Sequence, residues 1–321
     1  MALLLTEHDV ETLLTMPEAI EAVEAAFLRQ ANGEIINQPR RRLHVPDGVY
    51  HTMAAGDVEL ETFGIKTYAA FAPKARFLML LYDGRTGDLL AMIEADRLGQ
   101  IRTGAATGVA TRHLANARDT YRIGIYGTGW QARTQLEAVC AAVPVAEIIA
   151  YSRTAEKRTA FAETMQEKLG VPVRAADTPE AAARDRDVII TATTAAEPVL
   201  QGAWLSPGTH INAVGSNQLS RREVDTETVQ RASLIVVDSI EQAKAEAGDL
   251  LTPYERRVFR WEQVAELADI VAGNRFGRTD EQQITFFKSV GLALEDVAVA
   301  TLVYHKAKTQ AIGTEVPLWQ T

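Results

Sequence analysis

The chain is 321 residues long and has a single cysteine, Cys140. One thiol excludes an internal disulfide framework and a cysteine zinc cluster. Cys140 lies in a helix-like segment and reads as a small buried apolar residue rather than a nucleophile. No metal site is expected. Long apolar runs are also missing. Nothing approaches the stretch of about 18 apolar residues that a membrane helix needs. The opening "MALLLTEHDVETLL" is interrupted by Glu7, His8 and Asp9 and lacks a basic start, so no signal peptide is expected. There is no excess of basic residues: 33 stand against 42 acidic ones, a net charge of −9. That balance argues against nucleic acid and anionic membrane surfaces as partners, while leaving room for a local basic pocket for a small anion. Repeats, low-complexity tracts and long linkers are absent. These absences leave a cytoplasmic globular protein.

What is present is an ordinary enzyme-like composition, 47% hydrophobic and 23% charged, in a chain long enough for two domains. Residues 9–32 have apolar residues at helical spacing, with Pro17 suited to a first turn and Gly33 to a stop. Strand-like pieces follow in "RRRLHVP", "VYHTMAA", "FGIKTYAAF" and "RFLMLLYD", with a hairpin at "DGRTGD". "TGAATGVATRHLA" reads as a helix. From Tyr121 short apolar runs alternate with helices: "RIGIY", "EIIAYS", "DVIITAT", "THINAVG" and "SLIVVDS". That alternation predicts an α/β fold with a doubly wound parallel sheet covered on both faces. The last segment, "ITFFKSVGLALEDVAVATLVYHKAKTQAIG", reads as a helix after a short lead-in that packs back on the first domain. The expected division is a discontinuous α+β substrate-binding and dimerisation domain (1–118 and 291–321) around a Rossmann domain (119–290).

The turn "RIGIYGTGWQA" carries Gly127-x-Gly129-x-x-Ala132 between a strand and a helix, the dinucleotide fingerprint. Gly127 serves the tight turn, Gly129 lets a pyrophosphate approach the backbone, and the helix start offers free N–H groups and positive dipole. At the end of the next strand, where NAD sites commonly place a carboxylate for the ribose 2′-hydroxyl, the chain has "AYSRTAEKR". Ser152, Arg153 and Thr154 suit a 2′-phosphate, so NADP(H) is favoured, with NAD(H) the alternative. Thr154 is also placed to cap the following helix.

Three basic positions in the first domain suit a small carboxylate. "QPRRR" carries Arg40, Arg41 and Arg42. On a strand either Arg41 alone or the Arg40/Arg42 pair faces inward. Lys66 interrupts an apolar strand, where burial is costly unless it is paired or functional. Arg102 opens a helix of small residues, with access to hold a carboxylate in bidentate fashion.

The pieces "QPRRR", "GIK", "IRTGAATGVA", "GTGWQA", "TATTAAEPVL", "GTHINAVGSN", "RREVD", "EAGDL" and "TFFKSVGLALEDVAVA" together resemble the ornithine cyclodeaminase/mu-crystallin family over nearly the full chain. The resemblance implies a homodimer and an NAD(P)-dependent reaction at the α-carbon of a small amino or imino acid. It places Arg41 and Arg102 on the substrate carboxylate and Lys66 at the substrate as carboxylate ligand or proton relay. It puts Trp130 and Gln131 in the pyrophosphate turn, and Ser152 and Arg153 at the ribose. Thr193 lies beside the cofactor, and Ser289 and Val290 near nicotinamide and substrate. Where cyclodeaminases carry an acid/base aspartate, this chain has Asn217, whose amide has no titratable proton near neutral pH. Ornithine cyclisation is therefore disfavoured. The expected reaction is NAD(P)H-dependent reduction of an α-imino acid or cyclic ketimine carboxylate. A pyrroline-2-carboxylate fits, and Arg40, Arg42, His44 and His51 would also suit a dicarboxylic imine such as iminosuccinate. An alanine-dehydrogenase-like enzyme and a mu-crystallin-like ligand-binding protein are the alternatives.

Overall fold

The computed structural model describes residues 1–71 and 74–318. In chain order the elements are β1 (Ala2–Leu5), α1 (Glu7–Leu13), α2 (Met16–Ala31), β2 (Ile35–Val45), β3 (Gly48–Asp57), β4 (Thr62–Phe71), β5 (Lys74–Asp83), β6 (Leu89–Glu94) and α3 (Asp96–Leu114). Then come β7 (Tyr121–Tyr126), α4 (Trp130–Ala142), β8 (Val145–Tyr151), α5 (Ala155–Leu169), β9 (Val173–Ala175), β10 (Val188–Thr191), β11 (His210–Ala213), α6 (Thr226–Arg231) and β12 (Ala232–Val237). The chain closes with α7 (Ile240–Glu246), α8 (Gly248–Glu255), β13 (Ala265–Glu266), α9 (Leu267–Val271), β14 (Ile284–Lys288), α10 (Ala293–Gln310) and β15 (Thr314–Val316).

Two compact units result: Met1–Ala105 with Leu292–Thr321, and Ala106–Gly291. The division falls inside α3, earlier than a boundary after residue 118, because the second half of this 19-residue helix makes its contacts with the second unit.

The first unit holds a mixed sheet in the order β15-β1-β6-β5-β4-β3-β2. Residues directly opposite across neighbouring strands share a face, so one row runs through Met53, Lys66, Met79 and Ile93. All four are buried under the α10 side of the sheet, with α2 packed on α10. β2 enters that row through a bulge. Gln38 pairs with Ala54 and Arg41 with Thr52, so Pro39 and Arg40 together face the single residue Met53. Proline, with no N–H to give the ladder, is tolerated at such a site. The opposite face carries Ile36, Leu43 and Phe63, which are 65%, 62% and 41% exposed.

The second unit holds a sheet in the order β13-β12-β14-β11-β10-β7-β8-β9, with every pairing parallel. Separate apolar cores cover its two faces, the doubly wound arrangement that the alternating pattern predicts. One element departs from the sequence reading. "ITFFK" is the fully buried strand β14 between β12 and β11, not a lead-in to a helix. A five-residue apolar run has no period that separates a buried strand from the start of a buried helix.

Candidate active site

Strand order in the second sheet reverses between β7 and β10, the place where open α/β sheets leave a crevice for ligands. A cleft of about 350 Å³ lies there, lined among others by Gly127, Gly129, Ser152, Arg153, Lys157 and Thr193. Gly127 has φ +106°, and a Cβ on it would stand 2.3 Å from the Ala192 carbonyl oxygen. Only glycine fits this turn. Gly129 differs, because a Cβ there would meet nothing within 4 Å. The space before it is open to a ligand. Gly129 is also the N-cap of α4 and supplies no side chain to the helix start, so the first N–H groups are left for an anion. Ala132 is buried under the same helix, and Trp130 is 60% exposed beside the turn. This donor set fits the pyrophosphate of a dinucleotide.

Past β8 the Thr128 hydroxyl donates to Ser152 Oγ at 3.3 Å, and Arg158 donates to the Ser152 carbonyl at 3.2 Å. Arg158 also lies over the Tyr151 ring. The turn is thus held from behind, while Arg153 and Lys157 are exposed in the cleft lining, which contains no acidic residue. Thr154 is the N-cap residue of α5, but its side chain makes no capping hydrogen bond. Lys157, one helical turn beyond Arg153, is a second cation in the lining.

Buried carboxylates fasten the loops at the strand ends. Glu223 accepts from Thr193 N at 2.6 Å, Thr193 Oγ at 2.8 Å and Gly215 N at 2.6 Å, tying the chain leaving β10 to the chain leaving β11. Burial pushes its carboxyl above the ordinary range, against the pull of Lys288. Lys288 is fully buried, pairs with Asp249 at 3.0 Å and donates to the Ser216 carbonyl at 2.7 Å. Asp249 in turn accepts from Glu223 N at 2.6 Å and Val224 N at 3.1 Å. Asp238 receives Ser289 Oγ at 3.0 Å and the N–H groups of Val290 and Gly291 at 2.7 Å each. The Ser289 hydrogen is therefore committed to Asp238, and Val290 is held by its backbone. None of these four acids and bases was assigned a role from sequence. The signal was there in Lys288, a cation ending an apolar strand.

In the first unit Lys66 is buried, and its Nζ donates to Asp296 Oδ1 at 2.8 Å. Arg102 Nε donates to the same oxygen at 2.9 Å, and its Nη1 to Glu295 at 2.6 Å. Both carboxylates sit fully buried in the first turn of α10. Helix α3 can approach because residue 99 is glycine, where a Cβ would stand 3.0 Å from Lys66 Nζ. Burial, then the Arg102 charge, lowers the Lys66 ammonium to about 8, with Asp296 pulling the other way. Burial also opposes the Arg102 charge, but Asp296 and Glu295 outweigh it and hold the guanidinium charged. Arg102 thus stays cationic and suits an anion, while Lys66, lowered to about 8, can give up a proton near neutral pH. Beside it His51 stacks on Tyr68 with ring centroids 4.2 Å apart, Tyr68 stacks on Phe77 at 4.5 Å, and Lys66 Nζ lies 5.5 Å from the Phe77 ring.

Lys66 and Arg102 are thus brought together, and of the neighbouring arginines it is Arg40, not Arg41, that is buried on their face of the sheet. Arg41 is exposed and pairs with Thr52 on the other face, whereas Arg40 is buried and its charge acts on Lys66. The bulge at Pro39 and Arg40 shifts the alternation by one residue. Asp296 and Glu295 were unassigned as well, although two adjacent acids in the apolar run "GLALEDVAVATLV" need buried cations to pair with. Asn217 is half-buried in the loop after β11, next to the Ser216 carbonyl that Lys288 holds.

Fold and site together define a dinucleotide-binding oxidoreductase. The model of the ornithine cyclodeaminase/mu-crystallin family matches residues 1–311, and the chain belongs to that family. It is 34% identical to a Delta(1)-pyrroline-2-carboxylate reductase of Bacillus cereus, over 98% of this chain and 99% of that one. The structure of the Thermococcus litoralis Delta(1)-pyrroline-2-carboxylate reductase with NADH and L-proline matches with a TM-score of 0.93 and 40% identity, over 98% of this chain and 100% of that one. An archaeal alanine dehydrogenase dimer with bound NAD matches with a TM-score of 0.93 and 34% identity, over 99% of each chain.

Proposed function

We propose that this chain is a nicotinamide-dependent reductase that converts α-imino acids and cyclic ketimine carboxylates to amino acids. The observation that supports the reading is the Lys66–Asp296–Arg102 cluster, two buried cations sharing one carboxylate oxygen, with Lys66 lowered to about 8 by burial and Arg102. Arg40 and Arg102 hold the substrate carboxylate. The nicotinamide, when bound, supplies a hydride to the imine carbon. Lys66 donates the proton to the imine nitrogen, and Asp296 keeps Lys66 charged until then. Asn217 has no titratable proton near neutral pH, which separates this chain from an ornithine-cyclising enzyme.

The cofactor is NADP(H) rather than NAD(H). Arg153 and Lys157 in a cleft lining without acids support a 2′-phosphate. Related proteins hold NADH or NAD, and NAD(H) is the alternative. The protein is a homodimer, supported by the apolar face with Ile36, Leu43 and Phe63 and by the dimeric alanine dehydrogenase it is similar to. A face of that kind is uncommon on a monomer.

NADPH oxidation is measured with Δ1-pyrroline-2-carboxylate, with pyruvate plus ammonia and with dicarboxylic 2-oxo acids plus ammonia. Turnover of at least one imine is expected. Lys66→Ala should lower kcat by about 10²- to 10⁴-fold while NADPH still binds. No turnover of any imine, or an unchanged rate in the variant, overturns the reading.

A further inference from the structure

We infer that Asp238 and Glu223 set a buried negative field at the nicotinamide end of the cleft in the second unit, and that this field favours the oxidised, positively charged ring. This rests on the reductase reading and adds to it the residues that tune the cofactor. Neither carboxylate touches substrate. Both make the bound reduced cofactor a stronger hydride donor.

Strand register places the groups. Tyr126, Thr191, Ala213, Lys288 and Val237 pair in turn across β7, β10, β11, β14 and β12. The residues just past that row, among them Gly127, Ser289 and Asp238, therefore stand along one edge of the sheet. A dinucleotide crosses such an edge with one mononucleotide half on each side of the switch point. Ser152, Arg153 and Lys157 mark the adenosine half beyond β8. The nicotinamide half then falls over the chain leaving β10, β11 and β14, strands about 4.8 Å apart. Glu223 holds Thr193, a residue of the cleft lining, together with Gly215. Asp238 lies directly behind the turn 289–291 and gathers its N–H groups.

The contacts fix the charge. Asp238 Oδ2 accepts from Ser289 Oγ and from the N–H groups of Val290 and Gly291, and its Oδ1 accepts from Ser239 N at 3.0 Å. Glu223 likewise accepts backbone N–H groups at both oxygens. The ionised carboxylate is the form that accepts at both oxygens. Burial pushes both groups up, and these N–H groups hold the charge in place against it. Asp238 makes no ion pair among the described residues. Lys288 faces both Asp249 and Glu223, so in this set the carboxylates outnumber the ammonium. The adenosine half shows the reverse sign, with Arg153 and Lys157 in a lining without acids. Charge thus changes sign along the cleft as it does along an oxidised dinucleotide, from phosphates to a cationic ring. Loss of hydride to the imine carbon adds one positive charge to the ring, and a fixed buried anion stabilises that charge as it develops.

The test is the ratio of Kd for NADP⁺ to Kd for NADPH, measured without substrate by calorimetry, with NAD⁺ and NADH as a second pair. One carboxylate charge at roughly 8 Å, in an effective dielectric of about 20, is worth about 10- to 30-fold between the two forms. Asp238→Asn should weaken NADP⁺ relative to NADPH by that factor. Asp238→Glu keeps the charge and should retain the natural ratio even where both affinities fall. Glu223→Gln should move the ratio in the same direction as Asp238→Asn and serves where that variant does not fold. A merely structural role weakens both forms alike. A ratio within about threefold of the natural one in every folded Asn or Gln variant overturns the inference. Imine turnover by the natural protein then leaves the reductase reading standing. Binding of neither cofactor pair overturns both.

Discussion

Replacing Asp296 with asparagine removes the charge on the oxygen that Lys66 Nζ and Arg102 Nε share at 2.8 and 2.9 Å. All three groups are buried, so two cations are left facing an amide. Breaking a buried ion pair from one side costs about 3–5 kcal/mol, and urea unfolding of Asp296→Asn should show a loss of that order. The rate profile reads the same change. Lys66 stands at about 8 because burial and Arg102 lower it while Asp296 raises it. Without the carboxylate it falls further and is mostly neutral at neutral pH. In the natural protein kcat/KM for imine reduction should fall as pH rises through about 8, where Lys66 loses the proton it donates. In Asp296→Asn that limb should move to lower pH by about one unit or more. Stability follows the opposite sense. The Lys66 value drops from 10.5 to about 8 on folding. Below pH 8 both folded and unfolded chains hold the proton, and the cost of the buried charge is felt in full. Between 8 and 10.5 the unfolded chain binds more protons, so stability rises by about 3 kcal/mol from this group. A limb that stays near pH 8 in Asp296→Asn, with an unfolding free energy within about 1 kcal/mol of the natural protein, would refute both the pairing and the role of Lys66.

Other consequences concern the second unit and the apolar face. Arg153→Ala and Lys157→Ala should each weaken NADPH binding by about 10-fold or more in fluorescence titration while changing NADH binding little, since a charge-assisted contact to phosphate is worth about 1.5–3 kcal/mol. Equal losses for both cofactors would place neither residue at the 2′-phosphate. Glu223→Ala leaves the N–H groups of Thr193 and Gly215 without their acceptor. Thermal unfolding should show a loss of about 1–3 kcal/mol per orphaned donor, and NADPH affinity should fall with it. Phe63→Asp puts a charge on the exposed apolar face, and sedimentation should then show monomers. A dimer that survives the change places the interface elsewhere.

How much of this could be read beforehand depended on the range over which each signal acts. Gly127 was legible because a turn with φ +106° is a local demand that only glycine meets, and Gly129 because a bare backbone at a helix start leaves room for a ligand. The parallel sheet was legible for a related reason: strands buried on both faces must be short continuous apolar runs. Lys66 and Arg102 stood out as cations in apolar surroundings. "ITFFK" was not legible as a strand, because its identity comes from the neighbours β11 and β12 rather than from its five residues. Nor could Arg40 be told from Arg41. The alternation rule distinguishes adjacent residues only in an unbroken ladder, and a bulge at Pro39 breaks this one.

By itself, then, the amino-acid sequence determined the nucleotide turn, the alternation that makes a doubly wound sheet, the cations available for a carboxylate and the absence of a titratable group at Asn217. These follow from backbone conformation, periodicity and side-chain chemistry, which neighbouring residues settle among themselves. Only the tertiary structure decided which cations meet which acids. Lys66 and Asp296 lie on β4 and α10, near opposite ends of the chain, and Glu223 reaches back to Thr193 and Gly215 across two strand ends. A buried charge is tolerated only with its partner in place, and the fold alone supplies that partner.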